Sequence, residues 1–158
     1  MQMMSREEWL AVLSGQKTIQ HTVEQKAQIA ELFPNIDPGV KPFGQRVLVQ
    51  LRLARKRTKG GLYLPEDTRD TERWNEAVAQ LIATGPLAFK KRDTLQSWGE
   101  GEWALIGDFI RVPRWGGDRW EVPIPGSDPV ETVMFAMFND YEIIGLLTGN
   151  PVDMKVYV

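Results

Sequence analysis

Pro42-Phe43-Gly44-Gln45-Arg46-Val47-Leu48-Val49-Gln50-Leu51-Arg52-Leu53 is the stretch that decides the fold. Val47, Val49, Leu51 and Leu53 alternate with Leu48, Gln50 and Arg52. Side chains two apart share one face of an extended chain, so this period predicts a half-buried β-strand. The signal recurs downstream. Glu76 to Thr84 reads as a strand ended by Gly85-Pro86, and Phe109 to Val112 as another after the turn Gly107-Asp108. Trp115-Gly116-Gly117-Asp118 is turn-forming and leads into Arg119 to Val122. Val130 to Phe138 places Thr132, Met134, Ala136 and Phe138 on one face. A tight turn at Asn139-Asp140 leads to a last strand, Tyr141 to Leu147. Pro123, Pro125 and Pro129 make Val122 to Val130 a connection or an edge. Short strands separated by turn signals predict an all-β chain, a small antiparallel barrel.

Upstream the period changes. Ser5-Arg6-Glu7-Glu8 and Thr22-Val23-Glu24-Gln25 are capping-box signatures. Trp9, Leu10 and Leu13 follow the first; Val23, Ala27, Ala30 and Phe33 follow the second at helical spacing, before Pro34. Two short helices are expected, near 6–14 and 23–33. Helices of that length are not stable alone, so their apolar faces must dock, with Trp9 and Phe33 as buried anchors. Asn35-Ile36-Asp37-Pro38-Gly39 is a turn-rich linker. The chain divides into a helical extension over 1–40, a barrel over 41–148 and a tail over 149–158.

Between the first two strands lies Gly60-Gly61-Leu62-Tyr63-Leu64-Pro65. Arg52, Arg55, Lys56, Arg57 and Lys59 precede it; Glu66, Asp67, Thr68, Arg69, Asp70, Thr71 and Glu72 follow. A loop this long and this charged buries too little apolar surface to order itself, so mobility from about 55 to 73 is expected. Leu62, Tyr63 and Leu64 then read as a hook for another protein's groove. The plainer alternative is a short strand or hairpin arm folded back on the body.

Composition narrows the function. The 158 residues, 42% hydrophobic and 25% charged, suit one packed domain. A net charge of -2 argues against a general nucleic-acid or anionic-membrane binder. No apolar run reaches the roughly 18–20 residues of a membrane span. Met1 to Arg6 lacks the basic-then-apolar pattern of a secretory signal. With no cysteine there is no disulfide and no thiolate metal site, and the lone His21 has no partner ligands at metal spacing. No nucleophile, zinc or nucleotide-binding motif is present. The carboxylate pairs Asp67/Asp70 and Glu100/Glu102 sit in polar runs and read as solvated. Trp98, Trp103, Trp115 and Trp120, in or near turns, read as barrel caps or interface residues. No catalytic site and no cofactor are expected.

The order of elements resembles the GroES-type co-chaperonins. Pro42 to Val49, a proline, two variable positions, then Arg-Val and an apolar strand, is similar to the family's opening. Gly60-Gly61-Leu62-Tyr63-Leu64-Pro65 is similar to its glycine pair and apolar triplet in a mobile loop. Asn75 to Gly85 and Gly107-Asp108-Phe109-Ile110-Arg111-Val112 resemble its next two strands. Val133 to Phe138, Asn139-Asp140 and Ile143-Ile144-Gly145-Leu146-Leu147 resemble its close. The resemblance covers about 42–147. Between Gly85 and Gly107, where the family carries a roof hairpin, there is little likeness. The first 40 residues and the tail from Thr148 have no counterpart in cellular members, a departure that looks like phage-encoded co-chaperonins.

The resemblance implies a GroES-like barrel in a seven-fold ring that caps a GroEL-type chaperonin in the cytoplasm, the host's if phage-encoded. It implies assistance to ATP-dependent folding of an enclosed client, such as a phage capsid protein, with no nucleotide or metal of its own. It makes Gly60, Gly61, Leu62, Tyr63, Leu64 and Pro65 the chaperonin-binding residues. It assigns Val47, Leu48, Val49, Ile143, Ile144, Leu146 and Leu147 to a subunit interface, first strand against a neighbour's last strand. Two rivals are an enzyme barrel of the medium-chain alcohol dehydrogenase type, which the lack of cysteine opposes, and a phage structural or adaptor barrel with a docking loop.

Overall fold

The computed structural model describes residues 5–13, 21–53, 76–99, 101–127 and 130–154. Two helices, α1 (Arg6–Leu13) and α2 (Val23–Leu32), precede six strands: β1 (Arg46–Leu51), β2 (Val78–Thr84), β3 (Phe109–Arg111), β4 (Asp118–Pro123), β5 (Thr132–Asn139) and β6 (Gly145–Leu146). The strands form one antiparallel sheet in the order β4-β5-β1-β2-β3-β6. The fold is all-β, as expected.

The sheet curls around one core. Val47, Val49 and Leu51 of β1 meet Ala79, Leu81, Ile110, Val112, Met134, Ala136 and Phe138 on the inner face. That set confirms Met134, Ala136 and Phe138 as one face of β5. Arg119 of β4 holds the curl. It donates to the carbonyls of Pro113 and Arg114 at 3.0 Å, just past β3, and lies 5.8 Å from the Phe138 ring centroid. One side chain of β4 thus reaches the chain just past β3. Gly85, ending β2, backs directly onto the Gly44 backbone, and a Cβ there would overlap the Gly44 carbonyl oxygen.

β1 is not half-buried. Leu48 and Gln50, on the outer face, are 1% and 2% exposed. The cover comes from the extension and from Trp120 of β4. Ile36 and Trp120 pack around Leu48, Val133 and Phe135, and the Gln50 amide donates to the Pro34 carbonyl at 2.7 Å. Trp120 Nε1 donates to the Pro38 carbonyl at 2.9 Å and its ring stacks on Phe135. The segment expected to be a linker is therefore a strap across the sheet. Leu53 lies past the strand end and joins this outer cluster instead of continuing the inner row.

Both helices start where their caps predict. Glu8 N donates to Ser5 Oγ at 3.2 Å, and Thr22 and Gln25 close a reciprocal capping box. The docked face of α2 differs from the expected one. Val23 is 85% exposed and Ala27 and Ala30 face solvent, whereas Ile29, Leu32 and Phe33 pack against Val78, Leu147 and Phe109. Alanine offers too little area to anchor a helix, and the larger side chains beside it win. Phe33 is buried as expected; Trp9 is 37% exposed. The last strand is also shorter than expected. Asp140–Glu142 is a 3-10 turn, and only Gly145–Leu146 pairs, with β3.

Candidate functional site

The residues expected to bind a chaperonin, Gly60, Gly61, Leu62, Tyr63, Leu64 and Pro65, lie outside the described residues. Their root is described. Leu51 pairs with Ala79, so the chain leaves β1 and enters β2 side by side. One residue past β1, Arg52 sends its backbone N–H to the Val78 carbonyl at 3.0 Å. Its guanidinium forks onto Glu76, Nε to Oε2 and Nη2 to Oε1, each at 3.2 Å. Such bidentate pairs are geometrically strict. The pair is mostly shielded, at 11% and 8% exposure. Glu76 Oε1 also accepts the N–H groups of Ala77 and Val78 at 2.9 Å. Arg52 Nη1 donates to the carbonyls of Pro151 at 2.7 Å and Met154 at 2.6 Å. Sequence reasoning placed Arg52 in a solvated basic run and passed over Glu76. The available signal was opposite charges at the two ends of one loop.

The expected interface residues split into two groups. Val47, Leu48 and Val49 are 0–1% exposed, and β1 is bonded to β2 on one side and β5 on the other. The expectation that the first strand is an edge is corrected: it is central and has no free ladder to offer a neighbour. β6 is an edge, paired only with β3. There Ile144 is 60% and Leu146 40% exposed, while Leu147 is buried at 6% and Ile143 packs on the inner core. An open groove beside β6 is lined by Trp103, Ile110, Tyr141, Ile143, Ile144 and Leu146. Just before β1, Phe43 is 70% and Val40 47% exposed.

The region between Gly85 and Gly107 holds a short hairpin. Lys90 bridges Ser97, Lys91 N donates to the Gln96 carbonyl at 2.8 Å and Leu95 N to the Lys91 carbonyl at 2.9 Å. Leu95 sits at φ 60 at its tip and Phe89 at φ 63 at its base, both in the left-handed region. Trp103 stacks on Trp98 and tilts against Phe89. Buried Asp140, 3% exposed, fixes the base: Oδ2 accepts Phe89 N at 2.7 Å and Oδ1 accepts Tyr141 N at 2.8 Å. Asp140 looks like a turn residue in sequence, which hides this long-range role. Trp115 is 71% exposed.

No group of three or more histidine, aspartate or glutamate side chains positioned to hold a metal exists among the described residues. No helix of the described residues is long and apolar enough to cross a membrane.

Comparison with known proteins supplies the family. Residues 39–98 match the model of the chaperonin 10 kDa subunit. A 10 kDa heat shock protein of mitochondria in Saccharomyces cerevisiae is 30% identical over 106 residues, covering 67% of this chain and 86% of that protein. A co-chaperonin GroES of Methylacidiphilum infernorum is 27% identical over 117 residues, covering 72% of this chain and 99% of that protein. These matches and the six-stranded antiparallel sheet agree: the chain belongs to the chaperonin 10 kDa family, the GroES-type co-chaperonins.

Proposed function

We propose that this co-chaperonin caps a GroEL-type chaperonin as a closed ring, most simply of seven subunits, and assists ATP-dependent folding of the enclosed protein. The family match carries the reading, because it runs through 39–98 and so includes Gly60-Gly61-Leu62-Tyr63-Leu64-Pro65. In an extended segment Leu62 and Leu64 project to one side and Tyr63 to the other, so the two leucines enter the partner's groove. One such contact is weak, since ordering a loop costs about 2–5 kcal/mol. Linked contacts around a ring gain roughly 100-fold or more through effective concentration. The protein itself works without nucleotide, metal or catalysis, in the cytoplasm. Its departures from cellular members, above all residues 1–38, suit a specialised client, for which a phage capsid protein is our choice.

For the ring, the open β6 edge with Ile144 and Leu146 receives the segment around Val40 and Phe43 of the next subunit. This keeps the proposed β6 interface and moves its complement from Val47, Leu48 and Val49 to the residues just before them. Heterologous contacts of this kind close into rings, and closure protects the β6 edge.

The test is to mix the chain with a GroEL-type chaperonin and ATP and to look for capped complexes by electron microscopy. Leu62→Ser with Leu64→Ser removes on the order of 3–5 kcal/mol of apolar burial per loop. Capping should disappear with the melting temperature unchanged. Retained capping would overturn the hook; a large drop in melting temperature would assign the tripeptide to the core.

A further inference from the structure

The loop root contains more machinery than a turn requires. Arg52 and Glu76 face each other at the two ends of the segment joining β1 and β2. A third element reaches the same point. Residues 150–154 follow β6 and fold back so that the Pro151 and Met154 carbonyls sit at 2.7 and 2.6 Å from Arg52 Nη1. That tail is itself built. Pro151 is buried, Asn150 is 8% exposed, and Asn150 Oδ1 accepts Val152 N at 3.0 Å while its Nδ2 donates to Asp153 at 3.2 Å. Arg119 adds a further bond, donating to the Glu76 carbonyl at 3.4 Å.

We infer that Arg52, Glu76 and the tail carbonyls form a clamp that positions the docking loop: the tail fixes the rotamer of Arg52, Arg52 fixes Glu76, and the pair holds the loop's two ends at a set spacing. The inference rests on the reading that this loop docks on a chaperonin. Its physical basis is preorganisation. A loop whose ends are free pays more to order on binding than one whose ends are already fixed. A guanidinium suits this role because its planar fork engages carboxylate and carbonyls in fixed directions, whereas an ammonium is a point charge with rotatable donors. In a ring the effect compounds, since every subunit docks through its own clamp.

The experiment compares the full-length protein with Glu76→Gln, Arg52→Lys and a chain ending at Gly149, and with Glu76→Gln combined with that truncation. Chaperonin affinity is measured at 25 °C in the presence of ADP, with circular dichroism and light scattering on the same samples. Each single change should weaken affinity at least tenfold while secondary structure and ring mass stay as in the parent. The combined variant should be no weaker than the worse single, because the tail acts through Arg52. Unchanged affinity in folded, ring-forming Glu76→Gln and Arg52→Lys would overturn the clamp, as would fully additive losses. If the truncated chain unfolds, the two point variants decide alone. Leu62→Ser with Leu64→Ser in the full-length protein tests the underlying reading separately. If that variant still binds the chaperonin as the parent does, the loop is not the docking element; if it fails to bind while the clamp variants bind normally, only the clamp falls.

Discussion

Asp140 shows how one side chain can hold a distant element. Its two oxygens satisfy the N–H groups of Phe89 and Tyr141, and Phe89 is in a left-handed conformation that such a partner helps to hold. Asp140→Ala would leave a buried donor unpaired at the hairpin base, at a cost of about 1–3 kcal/mol. Urea unfolding should report that loss, and an unchanged midpoint would show that the hairpin is held by Trp98 and Trp103 alone. His21 gives a second residue-scale expectation. Its ring lies edge-on to Phe109 at 6.1 Å, and burial, with Lys26 adding to it, lowers its pKa below the ordinary 6.5. The unfolded chain therefore takes up this proton more readily than the folded one. Stability from neutral His21 is complete above about pH 6.5 and is lost as pH falls through the lower folded value. Urea midpoints between about pH 5 and 8 should slope for the parent and flatten for His21→Phe.

At the scale of elements, α2 and α1 divide sharply. Phe33 sits at 6% exposure against Val78, Leu147 and Phe109, with its ring 5.0 Å from that of Phe109. Phe33→Ala should cost about 3–5 kcal/mol, because it empties the cluster that joins the extension to the sheet. Trp9, more than a third exposed, should change stability by no more than about 0.5 kcal/mol when replaced by Ala. Thermal and urea unfolding of the two variants side by side would check this contrast. A large effect at Trp9 would mean that α1 is covered by another subunit in the assembled ring. The arginines behave as element joints too. Arg119 ties β4 to the chain after β3, and although burial pushes its pKa down, Glu76 acts the other way.

For the whole molecule, the proposed ring rests on the open edge. β4 and β6 flank the sheet, and β6 carries large exposed apolar residues beside a groove. Ile144→Lys places a charge in that surface and should convert the ring to monomers by light scattering at about ten micromolar, with the monomer's circular dichroism intact. A parent that is already monomeric at tens of micromolar would remove the ring from the reading. A ring that survives Ile144→Lys would move the interface elsewhere.

Local pattern alone determined a good deal. The period of two placed β1 and β5, turn signals bounded β2 and β3, and the two capping boxes placed α1 and α2, because these signals depend on residues a few positions apart. The order of the glycine pair, apolar triplet and strands was enough to indicate the family. Tertiary structure decided what depends on distant neighbours. Alternation could not reveal that Leu48 and Gln50 are covered, because the cover is Pro34 and Ile36, brought across by the strap. It could not show β1 as central, since strand order follows from which edges find partners and not from chain order. Nor could it join Arg52, Glu76 and Pro151, or Asp140 and Phe89, because buried polar groups choose partners by position in space. The sequence by itself determined the elements and their family; only the fold decided which edge stays open and how Arg52, Glu76 and the tail meet where β1 ends and β2 begins.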